Sequence, residues 1–271
     1  MSTRRIAFTK GHGTGNDFVL LADPRDELQV TPEAVRAVCD RRFGIGGDGL
    51  IRVVPDEAGW FMDYHNADGS IGEMCGNGAR VFAAFLRREG LVADDEFSIG
   101  TRGGIREVRM GTQVSVDMGF ARNDDSVVTV QIGDRVWPAS AVFMPNPHAV
   151  VFVDALVDAG DLREAPVVRS AVFPEGQNVE FVHVLEAGRH AQMRVHERGV
   201  GETLSCGTGI CAVADRVLAR AGVEGPATVE VEVPGGSLHV TRTLSGTLEL
   251  TGPATLVADG TLGEDLSEMF Q

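Results

Sequence analysis

Apolar and polar residues alternate with a period of two along most of this chain, a pattern that predicts many short, half-buried strands. Helical periodicity replaces the alternation over 31–40, from Cys75 to about Glu89, and over about 209–221. Thr31 followed by Pro32 is a typical helix start, with threonine as the N-cap and proline in the first turn. We therefore predict three helices among a larger number of strands.

The predicted strands fall into two groups. In the first half they cover 6–8, 18–21, 50–54, 60–64, 95–99, 105–110 and 113–118. In the second half they cover 127–132, 136–143, 149–153, 179–185, 190–195, 228–233, 237–243 and 247–251. The glycine-rich segments 11–17 and 44–49 are predicted to be loops. Because no βαβ series is evident, the pattern indicates an α+β fold with mostly antiparallel strands around one helix per half.

Both halves of the chain carry landmarks at nearly the same distances from a cysteine. In the first half, Asn16, Asp48 and Asn66 lie 59, 27 and 9 residues before Cys75. In the second half, Asn146, Asn178 and Glu197 lie 60, 28 and 9 residues before Cys206. The agreement predicts an internal duplication with two domains. The first covers 1–120, joined by the C-terminal tail 254–271, and the second covers 121–253.

Charge and composition argue against several classes of protein, among them nucleic-acid-binding and membrane proteins. The chain has 271 residues, with 24 Lys and Arg against 39 Asp and Glu, for a formal net charge of −15. The sequence contains no basic cluster that would bind nucleic acid or an anionic membrane. No apolar run reaches the roughly 18 residues of a membrane span, and polar residues from Lys10 onward interrupt any signal-peptide core. We expect a cytoplasmic protein with reduced cysteines that binds neither nucleic acid nor membrane.

Two of the four cysteines precede a helix, in the segments Cys75-Gly76-Asn77-Gly78 and Cys206-Gly207-Thr208-Gly209. At a helix N-terminus the backbone N–H groups lack intrahelical acceptors and favour an anion. Such a position commonly lowers a thiol pKa from about 8.5 to about 3.5–7.5. Cys39 and Cys211 fall within or beside helices and are predicted to be structural, because lone cysteines are usually buried.

Inversion of a carbon stereocentre requires two opposed groups of this kind, one ionised and one protonated. Two similar halves around a pseudo-twofold axis would bring one thiol to each side of a cleft. Backbone N–H groups at the helix starts would hold the carboxylate beside the developing carbanion. No lysine motif suggests pyridoxal phosphate and no CxxC pair suggests a metal site, so we expect neither a cofactor nor a metal.

Longer motifs resemble those of the diaminopimelate epimerase family. They are, in family order, Gly11–Phe18, Asn66–Ser70, Met74–Arg80, Asn146–His148, Gly176–Glu180, Glu197–Thr203 and Ser205–Gly209. The resemblance implies a cofactor-independent epimerase that converts LL- to meso-2,6-diaminopimelate, for lysine and peptidoglycan precursors. It also implies two pseudo-symmetric α+β domains, each a curved, barrel-like sheet around a central helix, and a homodimer.

The resemblance further implies roles for individual residues. Cys75 and Cys206 are the acid/base pair, and His148 and Glu197 tune or orient the thiols. Substrate contacts are implied for Asn16, Asn66, Asn146, Asn178 and Glu197, and for Arg198, which would pair with the distal carboxylate. Gly76, Asn77, Gly207 and Thr208 stand where the reacting carboxylate meets its donors.

Two positions depart from the family pattern. Gly49 stands where some members carry a substrate-contacting glutamine, so no side-chain role is expected there. Pro145 stands where the pattern usually has glycine, which would stiffen the loop before Asn146.

Two other classes of protein are consistent with paired cysteines. A proline or hydroxyproline racemase also uses two opposed thiols, but its substrate has no distal amino-acid group for Arg198 to hold. A non-catalytic thiol redox or metal-binding protein would need a disulfide or a metal in order to fold. The spacing of the cysteines gives that class no support.

Overall fold

The computed structural model describes residues 5–57 and 59–271. It divides the chain into two compact units. Unit 1 extends to Val116 and resumes at Pro253, and unit 2 comprises Asp117–Gly252. The C-terminal segment therefore belongs to the same unit as the first part of the chain.

The elements follow one another in this order. The first part of the chain contains β1 (Ala7–Gly13), β2 (Asn16–Ala22), α1 (Pro32–Cys39), β3 (Gly49–Asp56), β4 (Gly59–Asn66), α2 (Gly76–Arg88), β5 (Glu96–Ile99), β6 (Arg106–Met110) and β7 (Val114–Asp117). Unit 2 continues with β8 (Arg122–Ile132), β9 (Arg135–Phe143), β10 (Pro147–Phe152), a 3₁₀ helix (Leu156–Ala159), β11 (Val167–Arg169), β12 (Asn178–Glu186), β13 (His190–Glu197), β14 (Gly201–Thr203), α3 (Gly207–Arg220), β15 (Ala227–Val233), β16 (Gly236–Arg242) and β17 (Leu248–Gly252). The C-terminal segment adds β18 (Thr255–Thr261) and α4 (Glu264–Glu268) to unit 1.

Strand pairing is mostly antiparallel, which confirms the predicted α+β class. Unit 1 has a sheet in the order β18-β1-β2-β3-β4 and a β5-β6-β7 meander. Unit 2 has the order β11-β8-β9-β10-β12-β13-β15-β16-β17, with β14 on β13. Among the described residues no pairing joins β18 to β4 or β11 to β17, so the barrel closure implied by the family resemblance is not found.

The expectation that the chain lacks βαβ units was wrong. β2 and β3 are parallel and are joined through α1, and β13 and β15 are parallel and are joined through α3. Parallel pairing requires a long crossover, usually a helix, and each of these helices provides one. A period-two pattern identifies a strand without giving its direction, so the alternation alone could not show this.

The predicted loop at 11–17 is a hairpin instead. β1 and β2 pair up to Gly13 and Asn16, and only Thr14 and Gly15 form the turn. Both turn residues have positive φ, at 50° and 82°, as in the two-residue turns that suit the twist of a hairpin. Asn16 is therefore the first residue of a strand, which fixes its backbone.

The two units repeat the same pairing order around their first parallel pair of strands. This pair is β2 with β3 in unit 1 and β10 with β12 in unit 2. Phe18 lies beside Gly49 in unit 1, and His148 lies beside Asn178 in unit 2. Phe18 is thus equivalent to His148, and Gly49 is equivalent to Asn178. Counting back from the two cysteines had instead matched Asn178 with Asp48, the residue before Gly49. The two results differ because the β3–β4 and β12–β13 hairpins have different lengths.

Each unit buries its own core beneath its helices. In unit 1, α1 packs on Val19 and Leu21, and Leu262 and Phe270 of the C-terminal segment complete this cluster. Thr31 caps α1 as predicted, with Oγ accepting from the Ala34 N–H at 3.2 Å. Among the described residues, the helices are too short or too polar to cross a membrane.

Candidate active site

Cys75 is the N-cap of α2. Its backbone is extended (φ −137°, ψ 115°), and its carbonyl accepts the first helical hydrogen bond from the Ala79 N–H at 2.8 Å. Gly76 and Asn77 form the first turn, where N–H groups point out of the helix end. The thiol is half-buried. The structure therefore places Cys75, Gly76 and Asn77 together at a helix N-terminus, as predicted.

The Asn16 amide lies directly beside this thiol. Its Oδ1 is 3.5 Å from the Cys75 sulfur and 3.3 Å from Nδ2 of Asn77. Its Nδ2 donates to Asp48 at 2.8 Å, which turns the amide oxygen towards the sulfur. An amide oxygen in that position can accept a hydrogen bond from the Cys75 thiol. Asn16 thus contacts both Cys75 and the first turn of α2.

An ionic network fixes the residues around Asn16. Arg41 bridges Asp17 and Asp48 at 2.7 Å each, and Lys10 contacts Asp17 at 2.6 Å. Burial by itself would raise the pKa of Asp17, yet the hydrogen bonds from Arg41 and Lys10 hold that pKa well below its usual range. Asp17 is therefore an ionised anchor and not a proton-transfer group.

Asn66 ends β4 and belongs to a separate part of the same unit. The Tyr64 hydroxyl donates to its Oδ1 at 2.8 Å, and its Nδ2 donates to the Ser70 hydroxyl at 3.0 Å. Gly49 lies opposite Asn66 in the sheet. A Cβ at Gly49 would come within 2.6 Å of the Tyr64 ring and of the His65 carbonyl oxygen. The absence of a side chain at Gly49 therefore follows from the packing of β4.

Arg80 is a residue of this region that the sequence-based assignment missed. Its side chain is fully buried beneath the start of α2. It donates to the Gly76 carbonyl at 3.2 Å, to Oδ1 of Asn77 at 3.0 Å and to the Thr14 hydroxyl at 3.4 Å. The sequence signal that could have identified Arg80 is an arginine within the apolar run 79–86. An arginine buried with such a run is expected to have partners, because arginine is almost never fully buried unless it is paired.

Cys206 is the N-cap of α3 and is only 5 % exposed. Its sulfur lies 3.5 Å from the Thr208 hydroxyl and 3.9 Å from Nδ2 of Asn178. Burial raises the pKa of Cys206 well above its usual value, and the negative charges of Glu197 and Glu180 add to the shift. Hydrogen bonds from Thr208 and the Gly209 N–H oppose it in part. The net effect favours the protonated thiol of Cys206.

Glu197 ends β13 and accepts a hydrogen bond from the Thr203 hydroxyl at 2.5 Å. Burial raises the pKa of Glu197, and hydrogen bonds with Thr203 and Cys206 oppose the rise. The structure therefore places a carboxyl group against the Cys206 thiol. The role of Glu197 in tuning or orienting that thiol stays a prediction.

His148 contacts two other side chains of unit 2, Glu180 and the predicted substrate ligand Asn146. Its Nδ1 lies 2.6 Å from Oε1 of Glu180, and its Nε2 lies 2.9 Å from Oδ1 of Asn146. His148 and Glu180 are both fully buried. The two ring nitrogens of His148 therefore link Glu180 to Asn146. Glu180 lay inside a recognised motif, but its role was missed because a strand glutamate has no distinctive spacing.

Arg198 follows Glu197 and is exposed at the end of β13. Its backbone N–H donates to Oδ1 of Asn178 at 2.9 Å, and its Nη1 donates to the carbonyls of Glu175 and Gly176 at 3.1 and 3.4 Å. Asn178 therefore contacts both Arg198 and Cys206. The structure brings together Cys206, Thr208, Asn178, Glu197 and Arg198 in unit 2.

The other two cysteines lie in the cores. Burial raises the pKa of Cys39 to about 12, and Cys211 is fully buried within α3. Among the described residues, the group of side chains close enough to share a metal ion is His190, Glu230 and Glu232. This group includes no cysteine, so nothing in it favours a thiol-metal protein.

Gly209 tests how closely Glu180 packs on α3. A Cβ at Gly209 would lie 2.6 Å from Oε1 and 3.3 Å from Cδ of Glu180. Although alanine is favoured over glycine in a helix by about 1 kcal/mol, we expect Gly209→Ala to destabilise the protein by about 1–3 kcal/mol through overpacking. The free energy of unfolding in urea measures the change.

The equivalent residue of α2 supplies the matched control. A Cβ at Gly78 would meet the flexible end of Met62 at 3.2 Å and Ile51 at 3.3 Å. Gly78→Ala should therefore cost less than Gly209→Ala. A Gly209→Ala protein as stable as wild type would contradict the close contact with Glu180.

Comparison with solved structures defines the class of fold. The chain is similar to a phenazine biosynthesis protein of the PhzF family from Bacillus anthracis, with a TM-score of 0.72, 16 % identity, and coverage of 95 % of this chain and 99 % of that one. It is also similar to a hydroxyproline epimerase from Agrobacterium vitis, with a TM-score of 0.71, 13 % identity, and coverage of 96 % and 93 %. At these identities the likeness establishes a shared two-domain α+β fold.

Sequence comparison is more specific. Residues 8–123 and 140–257 match the family model of diaminopimelate epimerase. The chain is 51 % identical over 279 residues to the diaminopimelate epimerase of Streptomyces coelicolor, with 96 % of each chain covered. It is 46 % identical over 275 residues to that of Corynebacterium glutamicum, with 94 % and 97 % covered. The chain belongs to the diaminopimelate epimerase family, which confirms the resemblance found in the sequence.

Proposed function

We propose that this protein is an isomerase that epimerises LL-2,6-diaminopimelate to the meso isomer, with Cys75 and Cys206 as its acid and base. The observation that carries the proposal is the repeated N-cap cysteine. Each unit has one cysteine at the start of a helix, beside asparagine side chains and small first-turn residues. Family membership supplies the substrate, because the relatives are named for it.

The two thiols divide the reaction between them. One sulfur, as the thiolate, takes the α-proton of the substrate and becomes a thiol. The other, as a thiol, delivers its proton to the opposite face of the same carbon and becomes a thiolate. No proton is gained or lost overall. We expect Cys75 to take the proton from the LL isomer and Cys206 to take it from the meso isomer.

Neighbouring groups supply the protonation states that this exchange needs. The Asn16 amide oxygen lies beside the Cys75 sulfur and would accept a hydrogen bond from it whenever that sulfur carries the transferred proton. The raised pKa of Cys206, set by burial and by Glu197 and Glu180, makes that group a reluctant thiolate and therefore a strong base once ionised. Glu197 contacts Cys206 and would hold or return its proton. The buried His148 would tune the charge of this group.

The helix starts would stabilise the reacting end of the substrate. Gly76 and Asn77 open α2, and Gly207 and Thr208 open α3. Negative charge that moves from the α-carbon into the carboxylate would meet their N–H groups and the positive ends of the helix dipoles. A preorganised donor of this type is worth about 3–4 kcal/mol in a transition state.

The non-reacting end of the substrate carries an ammonium and a carboxylate. Arg198 has a planar fork of five N–H donors, which suits a carboxylate. The predicted binding asparagines, Asn66, Asn146 and Asn178, offer amide oxygens to the ammonium and N–H groups to the carboxylate. Such a polar set favours a substrate with two amino-acid ends over a proline-type substrate.

The remaining sequence-based predictions fit this proposal. A small amino acid as the partner, action without a cofactor, a cytoplasmic location and a homodimer all stay predictions. The two units would act as the two halves of one epimerase, each supplying one thiol.

Isotope exchange tests the proposed function. The protein is incubated with LL-diaminopimelate in deuterium oxide without added cofactor, and the products are followed by proton NMR and chiral separation. We expect meso-diaminopimelate with deuterium at the inverted α-carbon. L-Proline and trans-4-hydroxy-L-proline serve as comparison substrates. Exchange with either of these, and none with diaminopimelate, would assign the protein to the racemase alternative.

A further inference from the structure

A buried histidine–glutamate pair lies beneath the start of α3. His148 and Glu180 are both fully buried, and Nδ1 of His148 lies 2.6 Å from Oε1 of Glu180. The second carboxylate oxygen of Glu180 has no hydrogen-bond partner among the described residues. Burying charged groups costs free energy unless they are paired and hydrogen-bonded. The pair therefore needs an explanation beyond packing.

The internal repeat shows that the fold does not require this pair. The register equates His148 with Phe18, and Glu180 with Ile51, which lies two residues beyond Gly49. Phe18 and Ile51 are fully buried in unit 1, and both pack on the position of Gly78 in α2. Apolar residues thus fill the same two places beneath the equivalent helix. Replacing a buried ion pair by apolar groups is often neutral or stabilising, so stability alone does not account for the charges.

The pair contacts two parts of the proposed site. On one side, Nε2 of His148 lies 2.9 Å from Oδ1 of Asn146, a predicted substrate ligand. On the other side, the Glu180 carboxylate lies against Gly209, whose N–H donates to the Cys206 sulfur. Glu180 is thus linked to Asn146 through His148 and to Cys206 through Gly209, although it is neither a predicted substrate ligand nor one of the two thiols.

We propose that Glu180 is a positioning residue that holds His148 against Asn146 and holds the first turn of α3 beneath Cys206. Its negative charge raises the pKa of the thiol as well, as does that of Glu197, and His148 is the other titratable group at this site. The catalytic role of Cys206 rests on the proposed function. The electrostatic effect of Glu180 on the thiol does not, so it can be tested without substrate.

Alkylation of the free protein tests the inference directly. The variant Glu180→Gln keeps the shape of the side chain and removes its charge. Loss of one nearby like charge should lower the pKa of Cys206, so that more of this thiol is ionised at pH 8. Because the thiolate is the reactive form, we expect iodoacetamide to alkylate Cys206 about tenfold faster, while the rate at Cys75 is unchanged. Peptide mass spectrometry measures both rates in one sample.

Glu232→Gln is the matched control. Glu232 forms a half-buried pair with His190 at 2.8 Å in the same unit, so this variant removes the same charge from a comparable pair. It should leave both alkylation rates unchanged. An unchanged rate at Cys206 in Glu180→Gln, or an equal change at both cysteines, would overturn the inference.

A second variant keeps the inference testable if Glu180→Gln does not fold. The double variant His148→Phe, Glu180→Ile gives unit 2 the two apolar residue types that unit 1 has at the equivalent positions, Phe18 and Ile51. We expect a folded protein with a urea midpoint at or above that of wild type, and kcat reduced at least about 100-fold because Asn146 and the thiol lose their orientation. Wild-type turnover in this variant would show that Glu180 has no positioning role. Absence of turnover in the wild type would instead refute the proposed function and leave the alkylation result valid.

Discussion

Replacing either Cys75 or Cys206 by alanine should reduce the rate of epimerisation at least about 1,000-fold, because each thiol transfers one of the two protons and an acid/base group of this type contributes about 10² to 10⁴. Alanine can neither remove the α-proton nor deliver one to the opposite face. The initial rate of meso-diaminopimelate formation measures the effect, with circular dichroism to confirm that each variant is folded.

Cys211→Ala is the matched control for this pair of variants. Cys211 lies on the same helix as Cys206 but is fully buried in the core. It should lose about 1 kcal/mol of stability and keep its activity. If either Cys75→Ala or Cys206→Ala keeps more than about one tenth of wild-type activity, one thiol is enough and the two-base mechanism fails.

The two cysteines at helix starts were the most predictable part of the candidate site because their local sequence repeats. A lone Cys75 could have been a core residue, but a second cysteine in the same local sequence made the pair stand out. The helix starts are also local properties. Small residues after each cysteine, together with the apolar periodicity that follows, were enough to place α2 and α3 to within about two residues.

Long-range arrangement was less predictable. The parallel crossovers through α1 and α3 depend on which sheet edge the chain returns to, and periodicity carries no such information. β18 was missed for a different reason. Its side chains are mostly exposed, so Thr255–Thr261 shows little of the alternation that marks a strand.

The missed residues of the site share one physical feature. Glu180 and Arg80 are charged side chains that the fold buries completely, although charged residues are mostly exposed. Each supports a helix start from below and touches a predicted ligand, Asn77 in one case and, through His148, Asn146 in the other. Sequence patterns identify groups that face a substrate more readily than the buried groups that orient them.

Arg80→Met should have the largest effect on stability of the changes considered. The variant removes the side-chain donor that contacts the Gly76 carbonyl, Oδ1 of Asn77 and the Thr14 hydroxyl. Hydrogen bonds to a charged group contribute about 1.5–3 kcal/mol each before relaxation. We therefore expect a loss of about 3 kcal/mol or more in the free energy of unfolding, measured in urea.

Activity should fall in the same variant beyond what stability explains. Asn77 would lose one of the hydrogen bonds that fix its side chain, and a small misplacement near the reacting atoms can cost about 100-fold in rate. The positive charge below the start of α2, where the reacting carboxylate is proposed to bind, would also be lost.

Arg88→Met, on the last turn of the same helix, separates this effect from the general loss of an arginine. Arg88 is partly exposed and pairs with Asp259 at 2.8 Å. A surface pair of this kind contributes about 0–1 kcal/mol. Arg88→Met should therefore remain close to wild type in both stability and kcat/KM. If Arg80→Met and Arg88→Met unfold at the same urea concentration, the buried network of Arg80 does not support the α2 helix start, and Asn77 must be oriented by its contact with Asn16 instead.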